Sequence, residues 1–579
     1  MRPTFFGDMT TIDSDDDSVV GFTQVDFSGV DFDQVDRGLT ENEQKLLEWE
    51  VCVAFGESTD EAQNTVERLL EGDYASILRD TELLRGSDTL QLKERVYTFA
   101  STSIQASLEA EWVAVAALNL FLQANYTGPA LEDIAALDEY GTPLPDINPH
   151  PSLAHYFPVE NPVVDEEESK LDQTNTVYQN AVLAELTVDG EWPCQVCQSP
   201  YFLWLARTIL SVLVEQASSL QAVHLWHARA LVAHERLLQA REPSPTLWEE
   251  VVVAFDKCRE MYCETATAPN VRAATVLLEW GLAQHHFDRP GCGRDSFVQS
   301  QHMAGLAVEV TGAVGKRTKF QQEATAQMIV KAQSSTYQKA LETRDTAVVE
   351  KQRVEHPEEG ILLERIRYDD DKENEVTPLS ILDQTILLAL CLDVKNSNPA
   401  DGLTNEQMGA YLARVLDHHN DWMIYSTALL ERSWVEFERS HAKERSILQM
   451  QALADQHTNR LTLTQSTKQS VEESAPVQDR LKNLHSIVYP PRWSMFQDLA
   501  DRYASLGIVT SAAELYTEIE FWDDVVGARH GSGACHGRSA SRSSRKAAIG
   551  HAPDDVFDIT VHAAPVRGSN RLWNDTPAS

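Results

Sequence analysis

The stretch Trp493-Ser-Met-Phe-Gln-Asp-Leu-Ala-Asp-Arg-Tyr-Ala-Ser-Leu-Gly-Ile-Val-Thr-Ser-Ala-Ala-Glu-Leu-Tyr516 decides the fold, because it reads as two short helices folded back on each other. Small Ala500 and Ala512 let the two helices approach closely, while Phe496, Leu499, Tyr503 and Tyr516 supply bulk to fill the gaps between one pair and the next. Gly507 stands between them, where the chain must turn. One such hairpin cannot bury its apolar face alone, so the stretch predicts neighbours of the same kind.

Upstream, the pattern is helical almost throughout. Leu46, Leu47, Val51 and Phe55 share one face at helical spacing, and Thr59 is placed to cap a helix running to Leu70. Leu92 to Gln123 reads as one or two more helices. Tyr201–Leu213 and Leu220–Leu231 are apolar nearly all round, as in helices covered on both sides. Strand-like alternation is almost absent. The expected fold is therefore all-α, an α-solenoid of helical hairpins, with a disordered acidic N-terminus and an irregular C-terminal tail. The terminal hairpin matches the tetratricopeptide template, with Phe496 where tryptophan is usual; Leu278-Glu-Trp280-Gly281 with Phe297–Leu306 is a weaker echo.

Composition divides the chain. Residues 1–38 are a disordered acidic segment and 39–125 an N-terminal helical region; 126–171, with seven prolines and Asp165-Glu-Glu-Glu168, is a linker. A helical-repeat region covers 172–343, a charged loop 344–376, and a helical region ending in the hairpin 377–526. Residues 527–579 form a low-order tail in which glutamate never recurs and Arg and Ser cluster between Gly527 and Lys546. Such a tail reads as a nuclear-import segment or, preferably, as an out-of-frame or retained-intron end.

Charge excludes some partners. The chain of 579 residues carries a formal charge of −41, so nucleic acid phosphates and anionic membranes are repelled. Eight cysteines are sparse and irregularly spaced, as in a reducing compartment. The N-terminus lacks the basic start and apolar core of a secretion signal. The uncharged stretch Trp112–Leu131 is broken by Gln123-Ala-Asn-Tyr-Thr-Gly-Pro129 and is too short to span a bilayer. A soluble protein of the cytoplasm, extending to the nucleus, is expected.

Candidate chemistry is thin. In Val310-Thr-Gly-Ala-Val-Gly-Lys-Arg-Thr-Lys-Phe320, Gly312, Gly315, Lys316, Arg317 and Thr318 suggest a phosphate loop. A phosphate loop needs glycine where Val310 stands, Ser or Thr where Arg317 stands, and a preceding strand, whereas Phe297–Val310 reads as helix. A turn between helices is the expectation. Cys194 and Cys197 have the spacing of half a zinc site, but Cys258 and Cys263 have four residues between them and Cys292 is alone. Neither cofactor, metal nor catalytic residue is expected. Ser14, within Asp13-Ser14-Asp15-Asp16, suits an acid-directed kinase, and phosphorylation would make it an anionic plug for a basic pocket.

Several stretches, in order, resemble the tetratricopeptide repeat protein 27 family. They are Asp189-Gly-Glu with Ser199-Pro-Tyr-Phe-Leu-Trp-Leu-Ala-Arg-Thr-Ile-Leu210, the Val310–Gln321 segment, and Asn398-Pro399 with Leu403-Thr-Asn-Glu406. Ser426-Thr-Ala-Leu-Leu-Glu-Arg432, Gln451-Ala-Leu-Ala-Asp-Gln456 and Pro490-Pro-Arg-Trp493 through Trp522-Asp-Asp-Val-Val526 follow. The resemblance spans roughly 180–526 and implies a non-enzymatic helical-repeat scaffold whose better-formed repeats lie beyond the point where this chain enters its tail. It also implies chaperone-assisted assembly of multiprotein or ribonucleoprotein complexes, with proteins as partners, and in fungi a link to cell-wall integrity. The 13–16 motif is similar to the phospho-motif read by the adaptor of the RuvB-like-ATPase co-chaperone complex. A trafficking or coat-type solenoid is the alternative; a nucleotide- or zinc-dependent enzyme is the reading that the residues disfavour.

Overall fold

Helices begin where a side chain can cap them. Ser103, Ser244, Asn270, Asp401 and Asp421 each accept hydrogen bonds from backbone N–H groups of the turn that follows, meeting donors that the first turn leaves open. Ser380 and Asp383 do so reciprocally, in a capping box. The computed structural model describes residues 65–84, 92–128, 180–334, 362–458 and 475–529, apart from breaks of one to three residues inside these spans. The helices, in chain order, are α1 (Tyr74–Asp80), α2 (Leu92–Ala100), α3 (Ile104–Leu122), α4 (Pro200–Gln216), α5 (Ala222–Leu237), α6 (Pro245–Tyr262), α7 (Val271–His286) and α8 (Pro290–Ala304). After a three-stranded sheet come α9 (Ile381–Ser397), α10 (Gly402–Leu416), α11 (Trp422–Phe437), α12 (Lys443–Thr458), α13 (Val477–Leu481), α14 (Arg492–Ser505), α15 (Val509–Glu518) and α16 (Trp522–Arg529).

Helices adjacent in the chain pack on one another: α3 on α4, α5 on α6, α7 on α8, α9 on α10, α11 on α12 and α14 on α15. The fold is an all-α solenoid with one β interruption. Its interior follows from α3, where every residue from Ala110 to Gly128 is buried. A π-helical turn, Gln123–Thr127, ends this helix and leaves carbonyls to satisfy. Arg480 does so from α13: it donates to Thr127 O at 3.1 Å and to Ala475 O at 3.0 Å, with its guanidinium over the Trp422 ring. Asn125 exchanges hydrogen bonds of 2.9 Å with the backbone of Gln198, fastening α3 to the approach of α4.

The α7–α8 pair shows how closely two helices approach when glycine allows it. A Cβ on Gly281 would lie 2.5 Å from the Phe297 ring and 3.1 Å from Gly293 O, and one on Gly293 would lie 2.3 Å from the His285 ring. A second core, under α5, α6 and α7, is built on Trp280, stacked with Trp248 at 5.5 Å and tilted against Phe255 at 5.2 Å.

The interruption corrects the sequence reading. α8 stops at Ala304, capped by left-handed Gly305, and the chain then runs extended as β1 (Leu306–Thr318), β2 (Thr325–Ser334) and β3 (Leu362–Tyr368). The sheet is antiparallel in the order β2-β1-β3. Phe297–Val310 is thus not one helix, Gly312 and Gly315 do not make a turn between helices, and the 344–376 loop contains a strand. Gly315 serves close approach instead: a Cβ there would meet Arg367 O, Ile366 Cγ2 and Tyr368 Cδ1, each at 3.0 Å. The signal was present in Ala307-Val-Glu-Val-Thr311 and Ala326-Gln-Met-Ile-Val330, which are rich in β-branched residues. One face lies on the helices, with Val330 and Ala332 buried in the core and β2 packed on α10.

Two expectations follow. Gly281→Ala should destabilise the chain by about 1–3 kcal/mol through overpacking. Gly409→Ala, in α10 with nothing near its missing Cβ, should stabilise it by about 1 kcal/mol through helix propensity; urea melts of both variants check the pair. Glu111 on α3 is buried with both carboxylate oxygens unpartnered among the described residues, and burial pushes its pKa from 4.5 to about 8. Folding therefore takes up a proton between those values, so this group's contribution to stability is complete below pH 4.5 and is lost as pH rises towards 8. Glu111→Gln should remove a fall of up to about 1.4 kcal/mol per pH unit across that window, seen as a flatter stability–pH profile.

Candidate interaction surface

In the hairpin of α14 and α15, Phe496, Leu499, Ala500, Ala512 and Tyr516 are buried. Tyr516 is fully enclosed, and its hydroxyl donates to Asp501 across the pair. Tyr503 is only half-buried and faces α12, donating to Gln451 Oε1 at 2.7 Å. Gly507 holds φ at +81°. Its N–H donates to Ala504 O at 3.0 Å and that of Ile508 to Tyr503 O at 2.9 Å, the Schellman ending that favours a left-handed glycine. Arg492 links the two helices through Glu518 at 2.8 Å.

Past this turn the surface becomes apolar. Leu506, Ile508 and Val509 are exposed around the turn, and Trp522 and Val526 are exposed on α16. Trp522 and Val526 lie four residues apart and share a face of α16, whereas Val525 is buried beneath it. Exposed apolar side chains on helical hairpins are where a further helix or a partner segment gains contact area. Nearby, burial pushes the Asp498 carboxyl up to about 6 despite the opposing effect of Arg502, so half its charge is gone at that pH. The Leu-Gly-Ile-Val run at 506–509 carried this patch in the sequence, but it reads there only as a turn.

The other candidate residues lie apart from this surface. Lys316 sits opposite Arg367 on β3 and Thr318 opposite Leu362. Arg317 donates from Nε to Gln327 and from its backbone N–H to Gln321 Oε1, the latter at 2.9 Å. With the segment extended along a strand, its N–H groups cannot converge as a phosphate loop requires. Cys194 and Cys197 are buried beside the end of α5, where the Cys194 N–H donates to Leu237 O at 2.9 Å. Burial pushes the Cys197 thiol well above its ordinary pKa, which opposes the thiolate that a metal needs. Among the described residues no group of three or more His, Cys, Asp or Glu is placed to hold a metal, and no helix is long and apolar enough to cross a membrane. Asp13, Ser14, Asp15 and Asp16 lie outside the described residues.

Comparison with known proteins fits this geometry. A TPR repeat-containing protein of Schizosaccharomyces pombe is 28% identical over 453 residues, covering 71% of this chain and 50% of that protein. The tetratricopeptide repeat protein 27 homolog of Dictyostelium discoideum is 25% identical over 441 residues, covering 71% and 46%. Both of these relatives are named for tetratricopeptide repeats. The protein named essential for maintenance of the cell wall protein 1, from Saccharomyces cerevisiae, is 27% identical over 486 residues, covering 70% and 50%. The family resemblance carried by the sequence motifs is thereby shown. The chain spans about half the length of the curated relatives it matches. No family model matches the chain, and neither does any solved structure.

For a tetratricopeptide-like hairpin the two tyrosines should differ. Tyr516→Ala should cost about 3–5 kcal/mol, as for a fully buried aromatic, and Tyr503→Ala about 1–2 kcal/mol. Thermal melts of the two variants rank them; equal losses would show that Tyr503 is as enclosed as Tyr516.

Proposed function

We propose that this helical-repeat protein is a non-catalytic scaffold of the cytoplasm and nucleus that serves chaperone-assisted assembly of multiprotein or ribonucleoprotein complexes. The observation that carries the reading is the run of packed helical hairpins, with apolar side chains left exposed at Leu506, Ile508, Val509, Trp522 and Val526. Helical hairpins of this kind offer extended surfaces to other proteins rather than an enclosed reaction site. The kinship with tetratricopeptide repeat proteins supports protein partners in general; the chaperone link is the finer step, and it rests on the Asp13-Ser14-Asp15-Asp16 motif. Phosphorylated Ser14 would present a doubly charged group among carboxylates, a fitting ligand for a pocket of Lys and Arg.

Quantitative affinity purification of the full chain tests this. Ser14→Ala should remove a co-chaperone adaptor from the partner list, and Trp522→Asp should remove different partners while the adaptor stays. Identical partner lists for the wild type and Ser14→Ala reject the chaperone route.

A further inference from the structure

A polar cavity of ≈ 30 Å³ lies between the end of α3, α5, α7 and the turn at Leu484–Ser486. Among its lining residues are Tyr126, Arg229, Arg236, Glu279 and His485; most of the remainder are apolar. Arg229 takes up both oxygens of Glu279, through Nε at 2.9 Å and Nη2 at 2.5 Å, in an ion pair that is 3% exposed on either side. That leaves Arg236 as a second guanidinium on the same cavity, whose acidic neighbours are Tyr126 and the already committed Glu279. Arg236 is part-buried, and no second carboxylate lines the cavity to pair with it. The hydroxyl of Tyr126, a residue 1% exposed, and Nε2 of His485 are buried without a hydrogen-bond partner among the described residues. His485 is neutral, because burial and the two arginines hold its pKa well below the ordinary value, so one ring nitrogen keeps a hydrogen to donate.

The chemistry is one-sided. A phenol, an imidazole and a guanidinium offer donors, two arginines stand against one carboxylate, and no free carboxylate lines the space. Water would accept the hydrogen bonds but leave the extra positive charge uncompensated in a poorly solvated place, which is costly. An anion meets both needs. A water-sized particle requires roughly 10–15 Å³, so the cavity has room for one monatomic ion with about one water, not for a phosphate. We propose that this cavity is a halide site, occupied by chloride and held by Arg236, Tyr126 and His485, which locks the Leu484–Ser486 turn against α5 and α7.

The test uses the full chain and bromide as the probe. Crystals soaked in sodium bromide should show anomalous scattering between Arg236, Tyr126 and His485. In solution, melting temperature should rise saturably with chloride or bromide relative to sodium gluconate at equal ionic strength. Tyr126→Phe, which keeps the ring and removes one donor, should weaken that halide dependence about tenfold or more. Bromide scattering confined to the protein surface, water alone in the cavity, or identical melting in halide and gluconate would overturn the site. Arg236→Gln is the harsher variant: if it folds, its melting should no longer respond to halide, and if it does not, the wild-type bromide measurement still decides.

Discussion

A helix that is apolar on every side must be covered on every side, and α3 imposes that condition on the rest of the molecule. From Ala110 to Gly128 no side chain reaches solvent, so α1, α2, α4 and the segments around α13 have to close around it. Such enclosure leaves little tolerance for charge. Arg229 is paired with Glu279, and Glu111 is held in its neutral form near neutral pH. Arg480 shows a third arrangement, in which a cation donates to backbone carbonyls, Thr127 O at the close of α3 among them, and lies over the Trp422 ring.

Much of this was legible in the residues because helical information is local. Apolar periodicity and the Gly507 turn each act within one or two helical turns, so Ala500 and Gly507 could be read where they stand, whereas the cap read at Thr59 lies outside the described residues. The sheet was harder to read for a physical reason. Glycine at 312 and 315 has two meanings, a turn or a place where another strand crosses closely, and only the position of β3 decides between them. β3 lies some fifty residues further along the chain, beyond the reach of any window. The Arg229–Glu279 pair is hidden for the same reason, being a contact between side chains 50 positions apart. The apolar patch past Gly507 was visible as letters but not as a surface, since exposure of Ile508 and Trp522 depends on what the neighbouring helices leave uncovered.

The interaction surface and the interior share one logic. Hairpin packing consumes one face of each helix and hands the other to the next pair, so stability and recognition draw on the same kind of contact. The hairpin of α14 and α15 packs on α12 before it and α16 after it. Its buried half, around Tyr516 and Ala512, is completed by α14, while the outer half is left to residues such as Val509. The match to tetratricopeptide repeat proteins takes in about half of each of those relatives.

The sheet stands where the chain leaves α8 and returns to α9, yet those two helices hold each other directly. Arg294 on α8 reaches Asp393 on α9 at 2.8 Å, and His285 on α7 shares a hydrogen bond of 3.1 Å with Asn396. The excursion between them is thus a detour hung from a closed seam. The entropic penalty of such a detour grows only with the logarithm of its length, about 0.6 kcal/mol for each doubling. Lengthening it is nearly free for the stack, which makes this seam the place where new surface can be added without disturbing the helices on either side.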